Sequence, residues 1–217
     1  MLNWLYPPTC MGCASLLPVN DAHRASVWLC AACEALLRPI AGRVEKKGGV
    51  RCYAQYAYEG ILRDVIRGVK FRGKKGHMAA LGRLWARGLN EGDLTGVLVP
   101  MPLHRNKERA RGFNQAGVLA QALSAGLGIG MAQALVRRVD TAPQAGLHRS
   151  MRAENVAGAF AVAKGYTPSG KSFILVDDIY TTGASLNECA RVLWEHGATQ
   201  VAAIALAATL PKEDEHA

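Results

Sequence analysis

Apolar runs of about eighteen residues, the length that a membrane-crossing helix requires, are absent from this chain. Its first ten residues, MLNWLYPPTC, lack both the basic start and the apolar stretch of a secretory leader. A cytoplasmic protein with no membrane insertion is therefore expected. Aromatic residues are scarce, at 6%, which leaves little material for an extended base-stacking platform. Internal repeats and low-complexity tracts are also lacking. What is present in quantity is hydrophobic sequence, 50% of 217 residues. That supports one α/β domain with a small appendage and excludes a disordered chain.

Acidic residues are few where basic ones gather. Residues 63–111 hold twelve Lys or Arg against Asp64, Glu91, Asp93 and Glu108, so +8 of the +9 net charge lies there. Such a block suits a phosphorylated ligand or a nucleic-acid backbone as well as a solvated face. Lys70, Arg72, Lys74 and Lys75 are the residues expected to follow a single strand of DNA if one binds.

Six cysteines without a secretory leader argue against a disulfide framework, because a reducing compartment keeps thiols free for metals. Cys10-Met-Gly-Cys13 and Cys30-Ala-Ala-Cys33 are separated by sixteen residues, the arrangement of two knuckles closing one tetrahedral zinc site. Four thiolates leave no open position for a reacting water, so the zinc is expected to be structural. Cys52 and Cys189 lack such partners and read as core thiols.

Residues 42–51, rich in Gly and charge, read as a linker, giving a zinc module over 1–45 and a second domain over 46–217. Beyond the linker, CYAQYAY reads as a strand and EGILRDVIRGVKF as an amphipathic helix. HMAALGRLWARGLNEG reads as a second helix, ended by Gly92. GVLVPMPL reads as a buried strand feeding a basic loop, RNKERARG, and then the helix FNQAGVLAQALSAGLG. GAFAVA, SFILVDDI and TQVAAIALAATL read as further strands, with a helix from about Ala184 to His196. Strands alternating with helices imply an α/β fold with a mainly parallel sheet flanked by helices.

Phe173 to Ser185, FILVDDIYTTGAS, is a buried strand that ends in two acids and opens a helix through a hydroxyl- and Gly-rich turn. Backbone N–H groups from Thr181 through Thr182, Gly183 and Ala184 to Ser185, with the three hydroxyls and the helix N-terminus, suit a monophosphate. Asp177 and Asp178 can accept from two vicinal ribose hydroxyls and help hold Mg2+. A competing motif, Gly165 to Ser172 (GYTPSGKS), satisfies the phosphate-loop expression of ATPases. A strand follows it where a helix is required, so that context fails.

The thirteen residues resemble the signature for phosphoribosyl pyrophosphate (PRPP) of type I phosphoribosyltransferases. With Val99 to Gln115, VPMPLHRNKERARGFNQ, the chain further resembles the ComF family, whose most distinctive mark is Arg-Gly-Phe-Asn-Gln. Val69-Lys70-Phe71, Pro143-Gln144, Asn155-Val156 and Gly158-Ala159-Phe160 extend the likeness over nearly the whole chain. The resemblance implies a four-cysteine zinc module joined to a phosphoribosyltransferase-like domain, a link to natural competence, and competence or DNA-processing proteins as partners. Transfer would use PRPP and Mg2+, with Asp177 and Asp178 central and the acceptor undefined. The alternative is a non-catalytic single-stranded DNA binder that uses the pocket as a sensor or for a 5′-phosphate. Pyrophosphate needs cations, which makes Arg105, Lys107, Arg109 and Arg111 candidates. Gln144, His148, Arg149 and Arg152 are expected in a loop closing over the site.

Overall fold

A computed structural model describes residues 8–18, 27–44, 49–72, 74–89, 94–140 and 156–210. The elements are α1 (Ala31–Ala35), β1 (Pro39–Arg43), β2 (Cys52–Ala57), α2 (Gly60–Arg72), α3 (Lys75–Arg87), β3 (Val97–Pro100) and α4 (Arg105–Arg111). They continue with α5 (Gln115–Leu127), β4 (Leu135–Arg137), β5 (Phe160–Val162), β6 (Ser172–Tyr180), α6 (Ala184–Glu195) and β7 (Gln200–Ala208).

Five strands form one sheet in the order β1-β2-β7-β6-β3. β2, β7, β6 and β3 run parallel, and β1 pairs antiparallel with β2 at the edge. The expected mainly parallel sheet is therefore present. β1 lies within residues 1–45 and runs into the expected linker, yet its hydrogen bonds belong to this sheet.

The apolar run in β6 is continuous because both faces of the sheet are covered. Ile174 and Val176, with Ile204 and Leu206 of β7, join the core under α2, α3 and α5. Phe173 and Leu175, with Ala203 and Ala205, face the opposite core under α6. All of these are buried, and each large side chain removed from water contributes on the order of 1.5–3 kcal/mol. On the first face α3 and α5 touch closely. A Cβ at Gly82 would stand 2.6 Å from that of Ala122, so even Ala would force the helices apart.

Three readings are corrected. RNKERARG is a helix, α4. His104 caps it by accepting from the Asn106 N–H at 3.3 Å, and Gly112 ends it at φ 83°, while the Arg, Lys and Glu between them are good helix formers. The second helix ends at Arg87 with Gly88 as its C-cap; Gly92 lies outside the described residues. GAFAVA contributes only β5, which pairs antiparallel with β4 in a separate two-stranded sheet. No described helix is long and apolar enough to cross a membrane.

Candidate functional site

β6 carries Asp177 and Asp178 to the carboxyl end of the sheet, where α/β proteins gather ligand sites. The strand runs two residues past the acids, with Ile179 and Tyr180 still paired to β7. Gly183 then takes φ 75° and starts α6. A Cβ there would lie 2.8 Å from the Tyr180 hydroxyl, so both conformation and space call for glycine. Thr181 to Ser185 line a cavity of about 90 Å³ that also touches Asp177. Thr181 is exposed, whereas the buried Thr182 accepts from the Ala184 N–H at 3.4 Å.

Asp177 and Ser185 also line a second, adjoining cleft of about 160 Å³. Asp178, Lys70, Arg111, Gln115 and Arg137 face it. Lys70 Nζ stands 2.6 Å from Asp178 Oδ2, and Asp177 Oδ1 accepts from the Asp178 N–H at 2.8 Å. Burial and the neighbouring Asp178 carboxylate push the Asp177 carboxyl well above the usual range. Two acids on consecutive residues could hold a divalent cation, which would displace the Asp177 proton on binding. Burial lowers the Arg111 guanidinium against the pull of Asp178, and lowers that of Arg137, which lies 5.3 Å from the centre of the Phe160 ring.

Among the four cations expected at pyrophosphate, only Arg111 reaches this cleft. Arg105 and Arg109 are exposed on α4. Lys107 pairs with Asp140 at 3.2 Å and holds that carboxyl below its usual range. His104 and Asn106 meet the same carboxylate at 3.2 and 3.4 Å, so this end of α4 is tied to the chain after β4. Of the residues expected to follow DNA, Lys70 turns into the cleft to meet Asp178, because its helix face packs toward the sheet. Lys74 and Lys75 are exposed, and the Arg72 side chain lies outside what is described, as do Gln144, His148, Arg149 and Arg152. Lys171 lies over the Tyr166 ring at 4.7 Å and precedes β6, so GYTPSGKS is not a phosphate loop.

Sequence reasoning missed Arg137 and Gln115 as cleft residues. Arg137 sits on the unforeseen β4. Gln115 follows from the distinctive segment, each residue of which has a place. Arg111 faces the cleft, Gly112 caps α4, and Phe113 enters the core. Asn114 caps α5 through the Ala116 N–H at 3.1 Å and donates to the Met101 carbonyl at 2.9 Å. Gln115 is 4% exposed.

The sulfurs of Cys10, Cys13, Cys30 and Cys33 all lie within 4.8 Å of one another. A zinc–sulfur bond of about 2.3 Å at tetrahedral angles separates sulfurs by about 3.8 Å, and Cys13 and Cys30 are 3.7 Å apart. These four could bind a zinc ion. Hydrogen bonding with Ser15 pulls the Cys13 thiol down to about 6, and burial among the other sulfurs pushes Cys33 up. The knuckles are tied together by the Met11 N–H donating to the Trp28 carbonyl at 2.8 Å. Trp28 packs edge-on against His77 of α3 at 5.7 Å, and Gly12 lies against Ile61 of α2.

Residues 111–216 match the family described as "Phosphoribosyl transferase domain", which agrees with the sheet, the paired acids and the turn after them. Competence protein F of Haemophilus influenzae is 38% identical over 108 residues, 48% of this chain and 47% of that protein. Competence protein ComFC of Bacillus subtilis is 31% identical over 144 residues, 65% of this chain and 57% of that protein. The DNA utilization protein YhgH of Escherichia coli is 32% identical over 160 residues, 70% of each. The alignments thus span about half the length of the first two. The chain belongs to the ComF family.

Proposed function

We propose that the protein binds PRPP with Mg2+ in the two adjoining cavities. It would use the phosphoribosyl group, by transfer or by sensing, in DNA uptake or nucleotide-related metabolism. The observation that carries this reading is the meeting of both cavities at Asp177 and Ser185, with a hydroxyl-lined turn on one side and three cations on the other. The names of the relatives supply the link to competence and DNA utilization.

Thr181 to Ser185 would hold the 5′-phosphate against the N-terminus of α6. The ribose hydroxyls would donate to Asp177 and Asp178, which together would also hold Mg2+. When bound, that ion neutralises charge on the pyrophosphate. Lys70, Arg111 and Arg137 would carry the remaining negative charge as the bond from the anomeric carbon to pyrophosphate breaks and an acceptor nucleophile takes its place. Positioning is then the protein's main contribution, with no covalent nucleophile. The zinc module, with its structural ion, would brace α2, the helix that brings Lys70 to Asp178.

The test is release of pyrophosphate from PRPP and Mg2+ by the wild type and by a variant carrying Asp177→Asn and Asp178→Asn. Turnover should be abolished in a variant that remains folded. Equal turnover would overturn the assignment of the site.

A second reading, a single-stranded DNA binder that uses the pocket as a sensor or for a 5′-phosphate, draws support from one surface. Arg67 and Lys74, both exposed, line a groove of about 430 Å³ between the zinc module and α2.

A further inference from the structure

A sugar phosphate held by its 5′-phosphate at Thr181–Ser185 and by its hydroxyls at the two acids presents its anomeric substituent to the rest of the cleft. Beyond the acids, the charged groups facing that space are the cations Lys70, Arg111 and Arg137. The amide of Asn114 is spent on Ala116 and Met101. Gln115 is different. It is 4% exposed, lines the cleft, and its Nε2 has no acceptor within hydrogen-bond distance among the described residues. A buried N–H without an acceptor is destabilising and calls for a partner from outside the chain. Beside three cations, the acceptor that suits it is an anionic oxygen.

We propose that Gln115 reads the pyrophosphate: its Nε2 donates to an oxygen of the group carried on the anomeric carbon, so that Gln115, beside the three cations, helps separate PRPP from ribose 5-phosphate. This rests on the PRPP reading above and adds to it a specificity determinant. Asn114 fixes the first turn of α5 through two hydrogen bonds, so Gln115 is held in place before the ligand arrives, which lowers the ordering cost of binding.

The experiment is calorimetric titration of the full chain with PRPP plus Mg2+, with pyrophosphate plus Mg2+, and with ribose 5-phosphate, comparing wild type with Gln115→Met. Methionine keeps the length and loses the donor. Affinity for PRPP and for pyrophosphate should fall roughly 10- to 100-fold, the range for a hydrogen bond to a charged group. Affinity for ribose 5-phosphate should stay within about twofold, and the unliganded variant should melt no lower than wild type. Gln115→Glu, which keeps the shape and adds a negative charge, should lose more affinity for PRPP. PRPP affinity unchanged within about twofold, an equal loss for ribose 5-phosphate, or a lower melting temperature of unliganded Gln115→Met would each overturn the proposal. If wild type binds neither PRPP nor ribose 5-phosphate, the PRPP reading itself falls.

Discussion

Replacing Asp177 by Asn should stabilise the unliganded protein at neutral pH while removing PRPP binding. Asn is the same size and retains an Oδ1 that can accept from the Asp178 N–H. It cannot ionise. The Asp177 carboxyl holds its proton more tightly in the folded chain than in the unfolded one, because of burial first and the Asp178 charge second. A folded value raised above the unfolded value of about 4 means that this group's stabilising contribution is complete below pH 4. It is lost as pH rises through the raised value. Between those limits the loss reaches about 1.4 kcal/mol per pH unit. From pH 4 to pH 6 the advantage of Asp177→Asn should therefore widen by up to about 2.7 kcal/mol. For a chain of this size that is a relative gain of roughly 5–10 °C in Tm. Thermal melts of both proteins across pH 4–8 measure it, and their difference reports Asp177 together with its coupling to Asp178, the more distant titrations being shared. A Tm difference that is independent of pH, or one that favours wild type as pH rises, would show that Asp177 is not held protonated by the fold.

Two further outcomes are expected. Wild type purified under reducing conditions should carry one zinc per chain by elemental analysis, and Cys13→Ser should lose it and melt several degrees lower, since a structural zinc contributes directly to folding. Lys74→Ala with Lys75→Ala should weaken single-stranded DNA binding and flatten its salt dependence while PRPP affinity is unchanged, as both side chains point to solvent; fluorescence anisotropy at two salt concentrations reads this. Lys70 does not belong in that variant, because its ammonium is 2.6 Å from Asp178.

The parts of the site legible in the sequence are those whose residues are contiguous. FILVDDIYTTGAS carries its own strand, its acids and its turn, and the two Cys-x-x-Cys pairs carry their own spacing, so each could be read without knowing the fold. The cations were harder. Lys70 and Lys74 belong to the same basic block, yet Lys70, on α2, faces Asp178 while Lys74, at the start of α3, faces solvent, and only the packed fold decides which. Arg137 was hidden because β4 is three residues long and finds its partner, β5, more than twenty residues later. α4 is hard to see in the sequence because its cap is a histidine, which is not among the usual N-capping residues. The Lys107–Asp140 pair that ties it down joins residues far apart in the chain.

The assignment of a PRPP site to the paired acids and the turn after them stands or falls on calorimetric titration of the wild-type chain with PRPP and Mg2+, beside the Asp177→Asn, Asp178→Asn variant. Saturable binding near one PRPP per chain, lost in the variant, is the expected outcome. No binding by wild type, or equal binding by the variant, would contradict it.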